Sequence, residues 1–128
     1  MEKEVQNWVD SACYDLETAE QMFKSKRYIY TAFMCHLALE KILKAKIQKD
    51  TGKVPPKTHD LKHLAGLSGI HFEKESEEFL AELSNLNVIT RYPADFQQML
   101  QDFSQQRTER ILKNTREIFQ WIKKSYLS

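Results

Sequence analysis

The stretch from Tyr28 to Lys49, YIYTAFMCHLALEKILKAKIQK, contains neither glycine nor proline and is rich in alanine, leucine, methionine and lysine. Such a run reads as helix. At ~100° per residue its apolar side chains surround the helix almost completely. Tyr30, Met34, Ala38 and Ala45 fall on one side, Ile29, Phe33, Leu43 and Ile47 on the other, with Cys35, Leu39 and Ile42 between them. A helix apolar nearly all round needs neighbours on most sides. Two ionisable residues break the pattern: His36 and Glu40, one turn apart, point into the apolar arc. They cost free energy there unless paired. They are either a structural hydrogen-bond network or the floor of a site.

The rest of the chain supplies the neighbours as further helices. With three glycines and three prolines in 128 residues, long helices joined by few loops fit better than a β-sandwich. Residues 3–25 carry one apolar stripe, Val5, Trp8, Val9, Ala12, Leu16, Ala19 and Phe23, opposite an acidic face. The short link Ser25-Lys26-Arg27 makes this helix an antiparallel neighbour of the central one. Gly52 is the expected cap of the central helix, and Pro55-Pro56 prevent its continuation. Thr58 is placed to cap a short helix over 59–67. A fourth helix is predicted over 73–87 and a last one over 104–126; residues 94–103 read as either a short helix or an ordered loop. The expectation is all-α: an up-and-down bundle of four main helices plus one short helix, in a single domain over residues 1–128.

No secretory signal or membrane span is visible, so a cytoplasmic protein with free thiols at Cys13 and Cys35 is expected. The net charge of +1 argues against a strong general polyanion binder. The charge is nonetheless uneven. Lysines 41, 44, 46, 49, 53, 57 and 62 cluster in one stretch, and glutamates 73, 75, 77, 78 and 82 in another. These are either solvated helix faces or an electropositive surface for a nucleotide, RNA or an acidic partner.

No Gly-rich phosphate loop, nucleophile elbow or H-E-x-x-H zinc motif is present. His59 and His63 have the spacing of two metal ligands, but nothing in the sequence completes the set, so neither metal nor cofactor is expected. A polar cluster remains: His36, Glu40, Lys44, His59, Asp60, Arg91 and Tyr92. His36, Glu40 and Asp60 read as a structural polar network, with Arg91 as the counter-charge of Glu40. Arg91, Tyr92, Lys44 and His59 are the candidates for contacting a phosphate or nucleotide.

These residues resemble a known family. Ala32 to Ala45, A-F-M-C-H-L-A-L-E-K-I-L-K-A, is similar to the signature helix of HEPN domains, as are Thr58-His59-Asp60-Leu61 and Arg91-Tyr92-Pro93. Trp8, Ala12, Asp15-Leu16 and Ala19 fit the family's first helix, and the elements come in the family's order. The resemblance implies a helical bundle that forms a homodimer. It also implies a small nucleotidyltransferase as partner in a toxin–antitoxin-like pair, and an association with nucleotides. Many HEPN proteins are metal-independent ribonucleases whose motif is an arginine followed four to six residues later by a histidine. Here Asp95, Phe96 and Gln97 occupy those positions, and no histidine follows Arg91. The expected function is therefore a non-catalytic binding or interaction partner. A ribonuclease with a rearranged site and a purely structural bundle are the alternatives.

Overall fold

The computed structural model describes residues 2–89, 91 and 93–128. The chain forms α1 (Lys3–Lys24), α2 (Tyr28–Thr51), α3 (Leu61–Leu67), α4 (Lys74–Asn85), a 3₁₀ turn (Pro93–Asp95), α5 (Phe96–Asp102) and α6 (Gln105–Tyr126). There is no strand among the described residues. The four long helices are those the apolar periodicity predicts, and the open choice at 94–103 resolves to a short helix.

The central helix is enclosed as its pattern requires. From Ala38 to Gln48 every residue of α2 except Lys41 is buried. Its packing partners are α1, α3, α5 and α6, while α4 packs on α3 and α6. Leu39, Ile42 and Leu43 sit at the centre of the core, with Phe103, Ile111, Phe119 and Ile122 closing it from the C-terminal third. The small residues Ala12, Ala19, Ala32 and Ala38 are fully buried, which lets helix backbones approach closely. Cys35 is buried beside Thr115, and burial pushes its thiol up to about 12, so it stays protonated and unreactive.

Helix ends are set by local chemistry. α2 runs to Thr51 and stops at Gly52, which has φ +71 and donates its N–H to the Gln48 carbonyl at 2.8 Å. A side chain at Gly52 would be strained by that left-handed backbone alone. Lys46 is buried at the same end. Its ammonium bonds Asp50 and the Ser68 carbonyl and lies 5.4 Å from the centre of the Tyr126 ring. One cation thus ties the ends of α2, α3 and α6 together. The cap of α3 differs from expectation. Asp60, not Thr58, is the N-cap: its carboxylate accepts from the N–H groups of Lys62 and His63. Thr58 instead accepts from the Asp60 N–H at 3.1 Å, shaping the turn one step earlier, so the helix starts at Leu61 rather than His59.

Because Leu39 is fully buried at the centre of the core, Leu39→Ala is expected to cost about 2–5 kcal/mol. Urea denaturation with an unchanged slope and a lowered midpoint is the check; a loss under about 1 kcal/mol would mean that α2 is less tightly enclosed than described.

Candidate functional site

His36 and Glu40 are 2% and 4% exposed, on the α2 turn facing the segment that leads into α3. Both act on the same residue. His36 Nε2 lies 2.7 Å from the carbonyl oxygen of His59. A carbonyl only accepts, so Nε2 carries the hydrogen. Glu40 Oε1 lies 2.9 Å from His59 Nδ1, and by the same reasoning Nδ1 donates to the carboxylate. One buried side chain therefore fixes the backbone of His59 and the other fixes its ring.

The buried carboxylate is balanced on its second oxygen. Lys44 Nζ donates to Glu40 Oε2 at 3.0 Å, one turn further along α2. The ammonium also lies 5.7 Å from the centre of the Trp8 ring, whose Nε1 donates to Gln48 Oε1 at 2.8 Å. This chain of contacts pins α1 to α2 at the level of the site. His36 remains neutral: burial lowers its pKa, against the opposing pull of the His59 hydrogen bond and the Glu40 charge. Its Nδ1 is buried with no partner among the described residues.

Outside this network lies an open cleft of about 440 Å³. His36 forms part of its floor, and Lys57, His59, Lys62, Ser84, Asn85 and Asn87 contribute to its walls. The His59 side chain is 54% exposed, so its ring is anchored from behind and accessible in front. No described residue meets its Nε2. Lys62 Nζ reaches Asn85 Oδ1 at 3.0 Å. Asp60 also borders the cleft, but its Oδ1 is engaged by two backbone N–H groups and by the Ser84 hydroxyl. The hydrogen bond from His63 N–H contributes most to holding this carboxyl below its usual range. Asp60 and His59 thus border the cleft together.

Arg91 does not. It pairs with Asp102 at 2.8 Å, not with Glu40. Both Glu40 oxygens are already taken by Lys44 and His59, and Asp102, at the end of α5, presents an open carboxylate oxygen to the guanidinium. Gln98 at 3.0 Å and then Arg91 hold Asp102 below the usual carboxylate range. Arg91 therefore braces α5 against the chain that enters it. Lys44 sits in the buried network rather than on the cleft wall. Tyr92 lies outside the described residues. No group of three or more metal-ligating side chains occurs among the described residues. Sequence reasoning missed Ser84, Asn85 and Asn87, which the end of α4 brings opposite the α3 entry. Lys57 and Lys62 were visible only as members of the lysine cluster.

Two outcomes follow from this geometry. Glu40→Ala leaves Lys44 buried and uncompensated, and is expected to cost about 3–5 kcal/mol in urea denaturation. A change under about 1 kcal/mol would mean that the carboxylate is solvated. The second concerns pH. The folded chain resists protonating His36, whose ordinary value is 6.5. The unfolded chain therefore takes up that proton first, and stability falls as the pH drops below about 6.5 toward the depressed folded-state value. His36→Gln, which keeps an N–H for the His59 carbonyl, is expected to flatten that part of the profile. Identical profiles for the two proteins would show that His36 titrates normally.

A model of the HEPN domain family matches residues 5–125. No curated protein matches the chain at a significant level. Among solved structures, the crystal structure of TT1696 from Thermus thermophilus is similar, with a TM-score of 0.79 and 18% sequence identity. The match covers 96% of this chain and 98% of that one, and at this identity it speaks to the fold alone. With the match to the family spanning nearly its whole length, the chain belongs to the HEPN domain family.

Proposed function

We propose that this HEPN domain binds a nucleotide in the cleft at His59, and that it works as a homodimer paired with a small nucleotidyltransferase in a toxin–antitoxin-like couple. One observation carries the nucleotide reading: an accessible imidazole held in place by buried groups, beside two lysines. A bundle that needed only stability would gain little from burying a carboxylate and an ammonium to orient a half-exposed ring. Lys57 and Lys62 supply the positive charge for a phosphate, while Ser84, Asn85 and Asn87 supply neutral polar groups around it. Pairing with a second copy is supported by Phe96 and Leu100, large apolar side chains of α5 about half exposed to solvent. The nucleotidyltransferase rests on the resemblance to HEPN proteins that are encoded beside one, and a gene for one beside this gene would support it.

Calorimetry with adenine and guanine nucleotides tests the first part. Binding is expected, and the double substitution Lys57→Ala with Lys62→Ala is expected to weaken it by about tenfold or more, since hydrogen bonds to charged groups are worth about 1.5–3 kcal/mol. No heat with any nucleotide would leave a purely structural bundle. Light scattering is expected to show a dimer that Phe96→Asp with Leu100→Asp dissociates; a strict monomer at micromolar concentration would refute the pairing.

A second reading, a metal-independent ribonuclease with a rearranged site, is favoured by the same imidazole. A ring oriented by a carboxylate with its other nitrogen free is the arrangement of a general base. Cleavage of total RNA in the presence of a chelator, lost in His59→Ala, would place this reading first. Intact RNA retires it.

A further inference from the structure

We infer, on the nucleotide reading above, that His59 makes the cleft select a ribose hydroxyl next to the phosphate, and so prefer ribonucleotides to 2′-deoxyribonucleotides. The argument begins with which nitrogen carries hydrogen. Glu40 accepts from His59 Nδ1 at 2.9 Å, so the neutral ring must present Nε2 as a lone pair. Lys44 offsets the carboxylate charge through its other oxygen, so the buried pair contributes orientation with little net charge.

In that neutral form Nε2 is a fixed acceptor on the cleft wall, and no side chain among the described residues satisfies it. An ionised phosphate cannot do so either, because its oxygens only accept. The phosphate falls to Lys57 and Lys62 instead. A ligand that fills the cleft must therefore bring both an anionic group and a hydrogen-bond donor close to it. In a nucleoside 3′-phosphate, the 2′-hydroxyl is carried by the carbon next to the phosphorylated one. Base N–H groups lie on the far side of the sugar. The same pairing of hydroxyl and phosphate recurs along an RNA strand, so a free ribonucleotide and an RNA end share the chemistry read here.

The backbone of His59 reinforces the selection. His36 Nε2 donates to its carbonyl at 2.7 Å, so the acceptor cannot swing away when a ligand lacks the hydroxyl. A fixed acceptor meets the hydroxyl with no ordering to be done, whereas with the deoxynucleotide it keeps only water, and the net worth of that one hydrogen bond is the source of selectivity.

The test compares adenosine 3′-monophosphate with its 2′-deoxy counterpart by calorimetry, with uridine 3′-monophosphate to report on the base and a short RNA ending in a 3′-phosphate to report on the strand. The ribonucleotide is expected to bind about five- to tenfold tighter than the deoxynucleotide, the value of one hydrogen bond. His59→Phe, which keeps a ring without an acceptor at a half-exposed position, is expected to bind both equally and at the deoxynucleotide's affinity. Nitrogen-15 NMR of the wild type is expected to show the neutral His59 ring protonated at Nδ1. Equal affinity for the two sugars in the wild type, or the opposite tautomer, overturns this inference while leaving nucleotide binding intact. Absence of binding by every probe overturns the nucleotide reading and this inference with it.

Discussion

The carboxylate of Glu40 is the interaction on which the site depends. It is buried in the middle of α2, where an uncompensated charge would cost several kcal/mol. Lys44 answers it from the same helix and His59 from the segment before α3. The first contact makes the burial tolerable; the second converts it into a hold on an element elsewhere in the chain. His36 does the same with a neutral group, one turn earlier. The segment before α3 has no regular structure of its own at His59, so these two bonds give it a fixed position.

The lysines of α2 show how one residue type takes several roles. Lys41 reaches Asp15 and Ser11 on α1, Lys44 reaches Glu40, Lys46 reaches the ends of α3 and α6, and Lys49 donates to the Tyr126 carbonyl. Their alkyl stems cover apolar surface while each ammonium finds an oxygen. What reads in sequence as a basic patch is in large part internal wiring. On the C-terminal helix, Arg107 and Arg110 face Glu82, and Arg116 bonds Glu20. The positive charge left to the cleft is carried by Lys57 and Lys62, which lie beyond the central helix.

That distribution explains what was legible in the sequence. The helices and the core followed from period and from the scarcity of glycine and proline, because burial selects apolar residues at fixed spacing. The polar pair His36 and Glu40 stood out for the same reason, as exceptions to a pattern. The pairing of Arg91 was misread because charge complementarity in sequence does not say which carboxylate is nearest. Asp102, eleven residues on, is brought close by the turn into α5. Asp60 displaced Thr58 as the cap since both residue types favour that role and the register differs by only two positions. Ser84 and Asn85 left no signal at all, because a polar residue at the end of a helix looks the same whether it faces water or a ligand.

The link of only three residues between α1 and α2 leads into the most extensive packing in the molecule, and it joins elements adjacent in sequence. Contacts that are local along the chain form with little loop-closure entropy, so this hairpin is suited to assemble first. It already contains His36, Glu40, Lys44 and Trp8. The anchor for His59 therefore exists before the segment bearing His59 arrives. That segment then docks on a finished surface, where His36 and Glu40 hold it. A molecule built in this order has a durable half that stores the geometry of the site and a replaceable half that presents it. Changes at Lys57 and Lys62, which are exposed on the cleft wall, would then alter what the cleft recognises, whereas Asp60 as the α3 cap and the fully buried Leu61 belong to the framework.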